Sequence, residues 1–262
     1  MSTTSTVDLF STLATEGELS PEAHKTIQIV DFGAAIQNAM GVKVDDVLAS
    51  ETTIVTVEID DSGSIEAALN TVNIINGCNV LMDALAGSKQ ADSILMHLEM
   101  LNAGQLFPYV LLKNAVRLDH NNYRPKGGTP LYDKTHLLLQ RALAKKKEFA
   151  DNSVPARTVT FVATDGADVG SVHHSARSVR PLVEDMLRRE EHIILAMGIS
   201  DGGYTDFKAV LKEMGIPESC ILTPGNTPSE IRKAFQFASQ SAVRASQSAA
   251  NFSKVKLGGF GA

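Results

Sequence analysis

The chain has 262 residues, of which 44% are hydrophobic, 21% charged and 5% aromatic, a composition that excludes a disordered or fibrous protein. Lys plus Arg number 24 against 30 Asp plus Glu, a net charge of −6. That balance speaks against a nucleic-acid partner, because phosphate neutralisation needs clustered basic side chains. No apolar run approaches the roughly 20 residues of a membrane span, so no membrane partner is expected. The Ser/Thr-rich start, Met1 to Leu9, lacks the basic-then-apolar pattern of a signal peptide. The two cysteines, Cys78 and Cys220, sit in apolar surroundings and read as buried free thiols. A cytoplasmic setting is expected.

Residues 1–20 are polar and read as loose. Ser20-Pro21-Glu22 then opens a helix, with Ser at the N-cap and Pro at N1, and a partly helical segment runs to Met40-Gly41. It contains Asp31-Phe32-Gly33, which carries no weight as a kinase tripeptide without an HRD loop or a Gly-rich loop. From Val44 strands and helices alternate. Thr53–Ile59 is a β-branched strand; after Ser64 a helical stripe carries Ile65, Leu69, Val72, Ile75, Cys78, Met82 and Leu85. Ser93–Leu101 and Leu106–Leu112 are further strands, and Thr129-Pro130 opens a helix that turns Leu131, Leu138 and Ala142 inward. Lys145-Lys146-Lys147 reads as a solvated helix end.

Thr158–Thr164 is an apolar strand, Pro181 to Arg189 a helix, His192–Ile199 a strand and Asp206–Met214 a helix stopped by Gly215. Cys220–Thr223 is a short strand, and Thr227-Pro228-Ser229-Glu230 has capping-box spacing before an Ala-rich last helix that should bury little. Strands buried on both faces and separated by helices predict an α/β fold: a doubly wound, mainly parallel, six-stranded sheet with helices on both faces, Rossmann-like in its winding. Residues 1–43 form an N-terminal extension, 44–247 the domain and 248–262 a flexible tail.

Ligands in such folds lie beyond the carboxyl ends of the strands. There the chain places Asp60-Asp61-Ser62-Gly63-Ser64, Gly127-Gly128-Thr129-Pro130-Leu131 and Thr164-Asp165-Gly166. Asp60, Ser62, Ser64, Thr129 and Asp165 offer hard oxygen donors, which suit Mg²⁺ and, less tightly, Mn²⁺ or Ca²⁺. In an extended loop every second residue points the same way, so Asp60, Ser62 and Ser64 can face one point. The helix N-termini near Ser64 and Pro130 carry partial positive charge, which the carboxylates must offset. With three neutral donors the ion should seek an anionic oxygen from outside, such as an Asp or Glu of a partner protein.

These motifs, DDSGS at 60–64, GGTPLYD at 127–133 and TDG at 164–166, resemble those of a von Willebrand factor type A domain with a metal-ion-dependent adhesion site. The resemblance extends over residues 44–247 and includes the order of strands and helices. It implies that Asp60, Ser62, Ser64, Thr129 and Asp165 bind Mg²⁺ and that the chain is a protein-binding adaptor. It points to the stand-alone cytoplasmic bacterial kind, whose partners include ATPases and other machinery. No catalytic residue is expected.

Asp61 should face away from the ion as a supporting or backbone-capping group. His120, His173 and His174 read as solvated loop residues near the metal face, with partner contact or pH sensing as the alternative, and Asp201-Gly202-Gly203 on the same face reads equally as part of the rim or as a simple turn. The alternative function is a Mg²⁺-dependent hydrolase of phosphatase type using the same strand ends, with Asp61, Asp119 and His120 as its only candidates for nucleophile or base. A nucleotide-binding reading finds no Gly-rich phosphate motif.

Overall fold

The computed structural model describes residues 6–247. The predicted tail over 248–262 lies outside the described residues. Strands β1 (Thr52–Ile59), β2 (Ile94–Met100), β3 (Gly104–Leu111), β4 (Ala156–Thr164), β5 (His192–Gly198) and β6 (Ile221–Leu222) form one sheet in the order β3-β2-β1-β4-β5-β6. All neighbours pair in parallel except β2 and β3. Only residues 101–103 join those two strands, far too few for a parallel crossover, so they turn back as a hairpin. Pro108 inside β3 cannot donate to a ladder, which agrees with the place of β3 at the sheet edge.

The helices of the wound domain are α4 (Gly63–Ala67), α5 (Thr71–Ala86), α6 (Leu131–Asp151), α7 (Ala176–Arg188), α8 (Phe207–Glu213) and α9 (Pro228–Gln247), numbered after three N-terminal helices described below. α5 and α9 cover one face of the sheet; α6 and α7 cover the other. The expected six-stranded doubly wound α/β fold is therefore present. α9 buries more than its Ala-rich sequence suggested, because Phe235 is fully enclosed and meets Phe161 of β4 edge-on, ring centroids 5.7 Å apart.

The face of β1 and β2 turned to α6 is not apolar. Glu58 and Glu99 are register partners there, both buried. Glu58 accepts from the Thr135 hydroxyl at 2.8 Å, and Glu99 is bonded to Arg141 of α6. Lys145 is also fully buried: its ammonium donates to the Met40 carbonyl at 2.7 Å and pairs with Glu148 at 2.7 Å. Lys146 is buried as well, so the solvated helix end expected over residues 145–147 does not exist.

Residues 6–39 hold the N-terminal helices α1 (Thr6–Thr15), α2 (Pro21–Ile27) and α3 (Gly33–Ala39). The loose start expected for residues 1–20 gives way to α1, which buries Phe10 and Leu13, while Ser20 caps α2 as predicted. Phe10, Leu13, Leu19, Ala23, Ile27 and Ile36 join the central core, so that core runs across residue 43 without a break. The buried carboxylate of Asp185 on α7 fastens this segment by accepting the Ser20 amide at 2.6 Å.

Two helix boundaries differ from the sequence reading. The stripe from Ile65 to Leu85 is two helices, because the chain closes a Schellman turn: Asn70 N–H donates to Ile65 O and Leu69 N–H to Glu66 O, each at 2.9 Å. Leu69 therefore takes a positive φ of 59° and is 85% exposed, and Val72 is half exposed, neither in the core. α7 starts at Ala176 behind a Ser175 cap, five residues before Pro181, which stands inside the helix.

Candidate metal centre

β1 and β4 are neighbours at the point where the strand order reverses, with Ile59 beside Ala163. The residues that leave these strands, Asp60 and Asp165, thus emerge side by side at the crevice of a doubly wound sheet. Asp60 is held at both oxygens: Oδ1 accepts the Ser62 amide at 2.8 Å and Oδ2 the Thr164 hydroxyl at 2.7 Å. The Asp165 amide also donates to Oδ2, at 3.4 Å. The Ser62 and Ser64 hydroxyls lie 2.8 Å apart, and Ser64 donates to Asp165 Oδ1 at 2.6 Å. A Cβ on Gly166 would lie 3.0 Å from Thr129 Oγ1, so the glycine lets that hydroxyl close onto the Asp165 loop. The structure brings all five sequence-predicted residues together, and Asp60, Ser62, Thr129 and Asp165 are buried.

Ser62 stands at the N-cap of α4, yet its side chain makes no cap hydrogen bond. Pro130 holds the N-cap position of α6, one residue after Thr129, and no side chain caps this helix. The Ser62 hydroxyl is withheld from the usual N-cap role and is free to face the carboxylates. Thr129 is fixed through its backbone, which exchanges two hydrogen bonds of 2.8 Å with Val169.

Burial raises the pKa of both carboxyls. Asp60 is pushed up by burial against the opposing hydrogen bonds of Ser62 and Thr164. Asp165 is pushed up to about 6 by burial, with the Ser64 hydrogen bond opposing and the negative charges of Asp60 and Asp201 adding to the rise. Two buried carboxyls beside three hydroxyls form an all-oxygen donor set in an electronegative crevice. That donor chemistry fits Mg²⁺.

Asp61 turns away, as expected. Its Oδ1 accepts the Asn102 amide at 2.7 Å and its Oδ2 the Ala103 amide at 2.9 Å, which ties the β2–β3 turn to the site. Asn102 extends this brace to the Gly128 carbonyl at 2.8 Å, and Gly127 reaches the required bend with φ of 94°. Asp119 is spent on its own loop, accepting from Asn121 and Asn122. His120 and His173 are exposed, whereas His174 is buried, with Nδ1 3.0 Å from Asp133, correcting the solvated reading for that residue. Asp201 accepts amides of Gly203, Tyr204 and Thr205, which form a turn.

The sequence reading missed Thr164, Asn102 and Tyr123, whose hydroxyl donates to the Asp60 carbonyl. Thr164 stood within a quoted motif and the strand alternation could have aimed it at Asp60. Asn102 and Tyr123 carry no local pattern that marks them.

The fold is like that of a von Willebrand factor type A domain. Among solved structures it is similar to the pilus adhesin SpaC of Lactobacillus rhamnosus GG, at 12% identity and a TM-score of 0.53, over 74% of this chain and 30% of that one. It is also similar to the vWF domain of the type V pili tip protein Mfa5 of Porphyromonas gingivalis, at 10% identity and a TM-score of 0.51, over 74% of this chain and 95% of that domain. Proximal thread matrix protein 1 of the mussel byssus shares 18% identity at a TM-score of 0.50, over 74% of this chain and 46% of that one. The chain thus spans under a third of SpaC and about half of the byssus protein. These likenesses concern the fold. No protein-family model and no curated protein sequence matches the chain. No helix among the described residues is long and apolar enough to cross a membrane.

Proposed function

We propose that this chain is a metal-dependent protein-binding module. Asp60, Ser62, Ser64, Thr129 and Asp165 hold a Mg²⁺-type ion at the carboxyl ends of the strands, and a partner's Asp or Glu completes its coordination. The observation that carries this reading is that Ser62, at the N-cap of α4, makes no cap hydrogen bond while its hydroxyl lies 2.8 Å from that of Ser64, which is bonded to Asp165. An unused N-cap hydroxyl forfeits about 1 kcal/mol of helix stability, which is a reason to look for another use. A binding role is favoured over hydrolysis because the Asp61 and Asp119 carboxylates are engaged by backbone amides and His120 lies exposed in its loop. The setting is the cytoplasm and the partner is a component of an ATPase or similar machinery.

The test is isothermal calorimetry with Mg²⁺ and Mn²⁺, followed by partner capture in Mg²⁺ and in EDTA. Asp60→Ala and Thr129→Ala should abolish the metal heat and the capture while leaving the circular dichroism spectrum unchanged. A flat Mg²⁺ and Mn²⁺ titration of the wild type, or capture indifferent to EDTA and to both substitutions, overturns the reading.

A further inference from the structure

Three large apolar side chains stand on the loops that rim the metal face. Val169 is 65% exposed, Val172 79% and Tyr204 93%. The first two lie on the loop after β4 and the third on the loop after β5, both at the carboxyl end of the parallel strands. None is exposed by looseness, because each backbone is pinned. Val169 is paired to Thr129 by two hydrogen bonds of 2.8 Å. The Val172 amide donates to Asp133 at 2.8 Å, within a carboxylate that also takes the His174 amide at 2.7 Å. The Tyr204 amide donates to Asp201 at 3.0 Å. Three carboxylates, counting Asp168 on the Tyr132 amide at 3.1 Å, are used to hold this apolar edge rigidly outward.

The opposite edge of the crevice has a different character. The loop between β3 and α6 crosses the site through Lys126 N–H on the Asp61 carbonyl, and exposes Arg124 and Lys126. The rim therefore carries exposed apolar side chains on the β4–β5 side, and the exposed Arg124 and Lys126 on the β3–α6 side. A rigid apolar edge that gains by burial, facing a basic edge that selects charge, specifies the sequence of what binds between them.

Building on the function proposed above, we infer that the partner segment carries its metal-directed Asp or Glu between an aliphatic or aromatic residue, which covers Val172 and Tyr204, and a second acidic residue, which meets Arg124 and Lys126. The rim thus reads the residues on either side of the carboxylate, and the ion reads the carboxylate itself.

Fluorescein-labelled synthetic decapeptides with a central Asp test this by anisotropy in saturating Mg²⁺. One carries Leu and Phe on one side of the Asp and Glu on the other; a second carries Ser on both sides; a third replaces the Glu with Lys. The first should bind about tenfold tighter than either of the others, a modest apolar and ionic gain. Val172→Ser with Tyr204→Ser should remove its advantage over the Ser peptide. Lys126→Glu should remove its advantage over the Lys peptide. Equal binding of the three peptides by a wild type that binds Mg²⁺ in calorimetry, or unchanged selectivity in these variants, overturns the rim assignment alone. A wild type that gives no Mg²⁺ heat overturns the metal reading and the rim assignment together.

Discussion

His136 and His174 lie ring on ring, with centroids 3.9 Å apart and planes 18° from parallel, although one belongs to α6 and the other to the loop entering α7. Both reach Thr26 of α2, His136 Nε2 at the hydroxyl (3.0 Å) and His174 Nε2 at the carbonyl (3.3 Å). Gln140 lies 2.9 Å from His136 Nδ1. A donor amide on Nδ1 and a hydroxyl acceptor at Nε2 describe a neutral His136 that donates from Nε2. Burial, and then the charge of His174, push its pKa down to about 3.

The sign of the resulting pH dependence follows. The unfolded chain takes up the His136 proton near the ordinary value of 6.5, while the folded chain refuses it until about 3. The contribution to stability is complete above pH 6.5 and is lost as pH falls toward 3. His136→Gln keeps an amide within reach of Thr26 and removes the titration. The difference in unfolding free energy between wild type and variant should then narrow by up to about 1.4 kcal/mol per pH unit on acidification. Urea unfolding from pH 7 to pH 4 measures it, and the buried His97 and His192 cancel because both proteins keep them. Parallel pH profiles would refute the neutral buried state.

Leu69 sits in the left-handed region with its side chain almost wholly in solvent. A Cβ there costs about 1–2 kcal/mol, and this leucine recovers little by packing. Leu69→Gly should raise the unfolding free energy by about 1 kcal/mol after the greater chain entropy of glycine is counted. A loss of stability in chemical denaturation would show that the turn is not the strained element it is taken to be.

Arg141 is the cation bonded to the buried Glu99, whose neighbour in the sheet is the buried Glu58. Burial raises Glu99 and Arg141 opposes that rise; Glu58, beside it in the sheet, is pushed well up by burial and then by the Glu99 charge. Arg141→Met strands a carboxylate in the core and should destabilise by about 3–5 kcal/mol at neutral pH. Glu99→Gln added to Arg141→Met removes the stranded charge and should return most of that loss. A double variant no more stable than the single one would place the cost in lost packing by the Arg141 stem instead.

The sheet was readable because β-branched runs such as Thr53–Ile59 and Thr158–Thr164 are bounded by turn residues, and only the β2–β3 hairpin departs from a parallel winding. The site was readable in position for a related reason: Asp60 and Asp165 each follow the last residue of a strand, so finding the strands locates the acids. What escaped were features set by tertiary burial. Three consecutive lysines look solvated in sequence, and nothing local shows that Lys145 meets carbonyls released by the end of α3. The polar start of the chain hides Phe10 and Leu13, which matter only because α6 and α7 leave room for α1 and α2. Leu69 fits a helical period, and no residue near it announces the turn that takes it off the core.

Asp165 links the acidity of the crevice to its use. Its folded pKa of about 6 lies above the ordinary 3.8, so its contribution favours the fold at low pH and is lost as pH rises through 6. At pH 7 the metal-free protein carries an ionised carboxylate that burial disfavours. Asp165→Asn removes that charge, keeps an acceptor for Ser64, and should stabilise the metal-free protein at pH 7 by on the order of 1–2 kcal/mol, discounted for solvent near the crevice. On the proposed metal role, Mg²⁺ should raise the melting temperature of the wild type and leave the variant unmoved. Its apparent affinity should climb between pH 5 and pH 7, as the proton that competes for Asp165 departs through about 6. Thermal unfolding with and without Mg²⁺ across that range checks all three. A variant that remains Mg²⁺-responsive would take Asp165 out of the ion's shell, and a variant less stable than the metal-free wild type would show that the ionised carboxylate is not the burden its burial implies.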